Sequence, residues 1–206
     1  MRNDFVVTSF GTKTPEVFAR CVDKLCANLD ELKVPHDIDL IEPVSSRDPR
    51  KYACLYRPTF LLHKFYRHQK TLIQVDVDTK FLSADLFPTG FMYDQQDWDV
   101  GICRNGKTGQ FSKLPYIVFY MVIRHTQGGW NFLKTWEMYC EQNWPQYHDH
   151  QRLMWAIATA NTRFKDLTTF LDGKAIKNGF AEGNDQRTNI FKAKTSGSNF
   201  SDDYLT

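Results

Sequence analysis

The sequence predicts an α/β fold, and three observations carry that expectation. Short apolar, β-branched runs alternate with helical stripes through the first eighty residues, as β-α-β units do. One such run, Thr71-Leu-Ile-Gln-Val-Asp76-Val-Asp78-Thr79, ends in two carboxylates spaced one residue apart. A third, Tyr116-Ile-Val-Phe-Tyr-Met-Val-Ile123, is the most strand-like stretch of the chain and is expected at the centre of the sheet.

With 206 residues the chain is long enough for one well-buried domain, expected over residues 1–178, and a loop-like tail over 179–206 that has the composition to close over a ligand. A composition 42% apolar and 24% charged is that of a soluble globular protein, and 16 Phe, 9 Tyr and 5 Trp suffice for a core and a lined cleft. The formal charge of +2 gives no electrostatic argument for a nucleic-acid or membrane partner. Five scattered cysteines without C-x-x-C spacing read as reduced core thiols, and no stretch has the length of a signal-peptide core or a membrane span, so a cytoplasmic location is expected.

Taken in order, Phe5-Val-Val-Thr-Ser-Phe10 reads as a first strand opening into a loop at Thr8–Lys13. Thr14 and Pro15 start a helix whose stripe Phe18, Val22, Leu25, Leu29 and Leu32 packs on the sheet until Pro35. Ile38–Ile41 is the second strand. A polar linker over Val44–Arg50 leads to a second helix that Pro58 is expected to open, with Leu61, Leu62, Phe65 and Tyr66 inside it. The strand ending in Asp78 follows; a period of two would point Asp76 and Asp78 to one side. An irregular aromatic and acidic segment, Phe87–Asp99, leads to a short run at Val100–Cys103 and a turn at Arg104–Gly109. Thr126 is placed to cap a helix with the stripe Phe132, Leu133, Trp136, Tyr139 and Cys140. Pro145 breaks it, and Asp149 falls in the first turn of the next helix, where it caps amides or projects into a cleft. Leu167–Leu171 is the expected last strand.

Two acids this close repel and resist desolvation, so the pair calls for a cation or a shared proton. A divalent ion is the natural compensator: hard carboxylate oxygens suit Mn²⁺ or Mg²⁺, which take one or two carboxylates and complete their shell with water and substrate phosphates. As structural roles, Asp76 and Asp78 would be loop caps or salt-bridge partners. The bland reading of Arg57 is an ion pair, of Asp149 an N-cap, of Thr8 and Thr12 strand-end and loop residues, and of His148 and His150 surface residues.

The order Phe5-Val-Val-Thr-Ser-Phe-Gly-Thr12, Tyr56-Arg57-Pro58-Thr-Phe-Leu-Leu62, Gln74-Val-Asp76-Val-Asp78, Gly128-Gly-Trp130 with Phe132-Leu-Lys-Thr-Trp136, and Asp149 with Leu153 resembles a GT-A-fold glycosyltransferase that uses a nucleotide-diphospho-sugar, over roughly residues 4–160. The resemblance implies a single-domain, Rossmann-like mixed sheet flanked by helices. It implies that Asp78 ligates the metal directly and that Asp76 contacts ribose, or the metal through water. Thr8, Phe10 and Thr12 would hold the nucleoside, Arg57 would face the phosphates, and Asp149 would lie near the transferred sugar, with Asp97 and Asp99 as further carboxylates for a cationic sugar centre. The family's Asp-Gln-x-x-Leu element has His150 here in place of Gln. The acceptor would be a glycan, protein or nucleic-acid hydroxyl. Val75-Asp76-Val-Asp78-Thr79 is also similar to the Asp-x-Asp-x-Thr signature of haloacid-dehalogenase-like phosphatases, with Asp76 as nucleophile; there it normally ends the first strand, and here about seventy residues precede it. A third possibility is a non-catalytic module that binds a sugar nucleotide or glycan.

Overall fold

The computed structural model describes residues 4–13, 16–42, 49–81, 84, 87, 97–104, 116–142 and 149–167, and the architecture below is of those residues. Six strands, β1 (Phe5–Thr12), β2 (His36–Ile41), β3 (Thr71–Val75), β4 (Val100–Arg104), β5 (Tyr116–Ile123) and β6 (Phe164–Asp166), form one sheet in the order β2-β1-β3-β5-β4-β6. β1 runs parallel to β2 and β3; β5 runs antiparallel to β3 and β4, and β6 is parallel to β4. The sheet is therefore mixed; β5 lies at its middle as expected, with β3 beside it.

Four helices cover it: α1 (Glu16–Glu31), α2 (Pro49–His68), α3 (Gln127–Glu141) and α4 (Asp149–Thr159). The alternation of each strand sorts its side chains between two cores. Phe5 and Val7 of β1, Ile73 and Val75 of β3, and Tyr120 and Val122 of β5 pack with Leu25 and Leu29 of α1. Val6, Leu72, Met121 and Ile123 point the other way, toward Phe60, Leu61 and Phe65 of α2, Phe132, Leu133 and Trp136 of α3, and Leu153 and Ala156 of α4. The stripe predicted for α1 thus buries Val22, Leu25 and Leu29, each worth roughly 1.5–3 kcal/mol of transfer free energy.

The loop expected at Thr8–Lys13 is instead strand through Thr12, because Gly11 and Thr12 pair with Leu40 and Ile41 of β2. Three further boundaries differ from expectation, each for a local reason. The second helix begins at Pro49, where the missing N–H costs nothing, and runs through Pro58 instead of starting there. Arg50, assigned to the linker from sequence, is in the helix; residues 43–48 lie outside the described residues. β3 ends at Val75, not Asp78, because a turn follows in which the Thr79 amide donates to the Asp76 carbonyl at 3.0 Å. The last described strand is Phe164–Asp166; Leu167 follows it and sends its amide to the Ile102 carbonyl, and residues 168–171 lie outside the described residues. Thr126 caps α3 as expected, its Oγ1 accepting from the Gly129 amide at 3.1 Å. Cys21, Cys26, Cys54 and Cys140 carry thiols and no disulfide. No helix among the described residues is long and apolar enough to cross a membrane.

Lys64 fixes α2 to the edge of the sheet. Buried to 3% exposure, its Nζ lies 2.7 Å from Asp37 and 2.8 Å from Asp39, two acids on the same side of β2, and His68 Nε2 lies 2.7 Å from Asp37. Burial pushes the Asp37 carboxyl up, but the hydrogen bonds from Lys64 and His68 outweigh it and hold the group below its ordinary value.

Candidate functional site

The carboxyl ends of β1 and β3 lie side by side, since Thr8 stands in register with Gln74. Open α/β sheets bind ligands at such ends. Here the last residues of β1, the turn after β3 and one face of α2 enclose a cavity of about 100 Å³. Phe10, Gly11 and Thr12 enter it from β1, Arg57 from α2, and Asp76 and Asp78 from the turn.

Asp76 and Asp78 share the cavity although the geometry that brings them there is a turn and not the alternation of a strand. They are 6% and 8% exposed, so both carboxylates are largely out of water. Arg57 Nη2 donates to Asp76 Oδ1 at 3.2 Å, and the two side chains are 12% and 6% exposed. The described lining holds two acids and one base, which leaves it acidic. Such a site suits a cation brought with an anion, since the anion supplies the ligands that two carboxylates cannot.

Close packing of β1 against α1 shapes the floor. A Cβ on Gly11 would come to 2.7 Å from Val22 Cγ2 and 2.8 Å from the Phe18 carbonyl oxygen, so no larger residue fits without moving the helix. Phe10, half-buried, packs its ring on Phe60 at 4.8 Å and edge-on to Tyr56 at 5.9 Å, which ties the lip of β1 to α2. Along α2, Pro58 has no N–H to give the Cys54 carbonyl, so the helical ladder is one bond short in the turn that carries Cys54 and Arg57 to the cavity.

Of the residues singled out from sequence, Phe10, Thr12, Arg57, Asp76 and Asp78 are brought together. Thr8 is not in the lining: it is fully buried two residues back along β1, about 7 Å deeper, and its Oγ1 has no hydrogen-bond partner among the described residues. Asp149 opens α4, as its place in the sequence predicts, but its side chain, like His148 and the tail from residue 179, lies outside the described residues.

Asp99 has a different job. Its Oδ1 accepts from Thr126 Oγ1 at 2.8 Å and from Arg163 Nη2 at 3.0 Å, while Oδ2 accepts from the Arg163 amide and Nε, both at 3.0 Å. A Cβ on Gly128 would sit 2.3 Å from its carboxylate, so glycine is required there by space. The Arg163 hydrogen bond, against the opposing effect of burial and with help from Thr126, holds the Asp99 carboxyl down at about 2. It is a structural staple at the amino end of β4 and is not in the cavity lining.

Sequence reasoning missed Gln74. It lines the cavity at 3% exposure, and its signal was available: one amide in an otherwise apolar strand.

Solved structures share this fold. A crystal structure of a glycosyltransferase involved in the glycosylation of the major capsid of PBCV-1 is similar to this chain with a TM-score of 0.62, over 93% of this chain and 98% of that chain, at 8% sequence identity. A likeness at that identity is one of fold. No protein-family model matches the sequence, and no curated protein matches it.

Proposed function

We propose, from this likeness of fold to a glycosyltransferase, that the chain is a metal-dependent enzyme moving a sugar from a nucleotide-diphosphate donor to an acceptor hydroxyl. The observation that carries the proposal is the convergence of Asp76, Asp78 and Arg57 on one cavity at the carboxyl ends of β1 and β3. Among the described residues no group of three or more His, Cys, Asp or Glu forms a closed metal cage. Two carboxylates are enough for Mn²⁺ or Mg²⁺ when donor phosphates and water complete the shell, so these residues fit an ion that arrives with its substrate. Asp78 is the direct ligand in this proposal; Asp76, held by Arg57, acts through water or on the ribose.

When bound, the ion supplies positive charge to the diphosphate that departs with the bond to the sugar. Arg57 adds a second positive charge on the same side, and Asp76 holds that guanidinium in place before the ligand enters. Phe10 and Thr12 border the nucleoside, and Asp149 is the candidate carboxylate near the transferred sugar. The acceptor is a hydroxyl of a glycan, a protein or a nucleic acid. The nearly balanced charge disfavours a large polyanion, and the capsid glycosylation of the viral structure makes a glycoprotein acceptor the first to try.

A thermal-shift panel of nucleotide sugars with and without Mn²⁺ tests the proposal. At a hundredfold excess over Kd the matching donor should raise the midpoint by about 5 °C or more, only with metal present, and Asp78→Asn should remove the shift. No shift with any donor overturns it. Hydrolysis of a generic phosphomonoester, abolished by Asp76→Asn, would favour the phosphatase instead; tight binding with no donor consumed in the presence of any acceptor or water would mark a binding module.

A further inference from the structure

Gln74 offers the site a chemistry that the metal and phosphate contacts leave unused. It stands between Ile73 and Val75 of β3, on the face of the sheet covered by α2, with Thr8 opposite it on β1. Its Nε2 donates to the Val75 carbonyl at 2.9 Å. A carbonyl oxygen only accepts, so the nitrogen is fixed on Val75 and the amide cannot turn round without losing that bond.

The other end of the group is Oε1. It is buried and has no hydrogen-bond partner among the described residues, and the same is true of Thr8 Oγ1. A buried acceptor left unmade is destabilising, and an apolar side chain of similar size would fill the same space without that cost. Of these two oxygens only that of Gln74 sits on a residue lining the cavity of Asp76 and Asp78, and it points to a ligand there that completes it.

The chemistry selects which part of the ligand. An amide oxygen accepts and never donates, whereas a diphosphate near neutral pH presents acceptors, so the phosphates are excluded as its partner. A nucleoside carries both N–H and O–H donors. Phe10, on the same side of β1 as Thr8 and two residues nearer the mouth, adds a ring at the cavity wall.

We infer that Gln74 Oε1 accepts a hydrogen bond from an N–H or O–H of the donor's nucleoside and so selects the nucleotide. The inference rests on the glycosyltransferase proposal and gives that site its specificity-determining residue.

The experiment compares Mn²⁺-pyrophosphate with the Mn²⁺ complexes of uridine, guanosine, cytidine and adenosine diphosphates, titrated calorimetrically into the parent protein and Gln74→Met. Methionine keeps the length and removes the acceptor. The expected result is a higher unfolding midpoint for the ligand-free variant, roughly tenfold or more weaker binding of the preferred nucleoside diphosphate, and pyrophosphate affinity within about twofold of the parent. Unchanged nucleotide affinity overturns the inference and leaves a buried water as the partner. An equal loss for pyrophosphate also overturns it, because Gln74 then acts on the Asp76–Asp78 turn or on the metal. If Gln74→Met does not fold, Gln74→Leu, which also removes the acceptor, gives the same comparison. A parent protein that binds none of the four nucleotides, with metal present, fails the glycosyltransferase proposal itself, and the inference falls with it.

Discussion

Asp78 and Asp99 are two buried carboxylates set to opposite uses by their neighbours. Asp78 shares a cavity with a second acid, while Asp99 is filled on both oxygens by Arg163 and Thr126. The two residues are close in type and exposure, and the sequence Asp97-Trp-Asp99 carries no mark of the staple because its cation lies 64 residues away. The consequence for pH is directional. The Asp99 carboxyl is held at about 2 in the folded chain against an ordinary value of 3.8, so its contribution to stability is complete above about pH 4 and is lost as pH falls toward 2. Asp99→Asn should cost about 2 kcal/mol at neutral pH, the scale of hydrogen bonds to a charged group, and should flatten the acid limb of an unfolding curve followed by circular dichroism. A variant with the parent's neutral stability and acid limb would show that Arg163 holds nothing. Gln74, by contrast, was legible: an isolated amide inside Thr71-Leu-Ile-Gln-Val reads as a polar group that needs a reason.

At the scale of elements, hydrophobic pattern located the strands and helices well and their ends less well. The stripe of α1 and the run of β5 required only periodicity, which the cores at both faces of the sheet enforce. The end of β3 depended on a turn hydrogen bond from Thr79 back to Asp76, and apolar Val77 between the acids hid it. Pro58 looked like a helix start because its ring fits a first turn, yet the burial of Phe60, Leu61 and Phe65 on one side and the half-buried Tyr56 and Leu55 on the other carry α2 past it. The fit of α1 to β1 is tighter than any pattern reveals. Gly11→Ala should push Val22 and the Phe18 carbonyl away, cost roughly 1–3 kcal/mol, and weaken ligand binding by displacing Phe10 and Thr12. Equal donor thermal shifts in Gly11→Ala and parent would show that the cavity floor tolerates the movement.

For the whole molecule, the α/β class and the central place of β5 followed from the alternation of apolar runs, but the strand order did not. Order depends on which edges meet, and a polar residue such as Arg163 just before a three-residue strand gives little sign that β6 will lie beside β4. The candidate site was readable where local chemistry stood out, in Asp76, Asp78 and Arg57, and unreadable where depth mattered, as for Thr8. Asp99 has a consequence for how the fold opens. Its backbone amide donates to the Arg163 carbonyl at 2.8 Å, its carbonyl accepts from Arg124 at 2.9 Å, and its side chain reaches the cap of α3, so one residue joins β4, the exit of β5, α3 and β6. Thr162 Oγ1 adds a bond to the Gly128 carbonyl at 2.8 Å. These segments should therefore open as one cooperative unit, with native-state hydrogen exchange giving a common opening free energy for amides of β4, the first turns of α3 and β6. In Asp99→Asn those amides should separate into independently exchanging groups while the β1–β2 pair keeps its protection, so that a single carboxylate sets the boundary between the part of the sheet that persists and the part that is released.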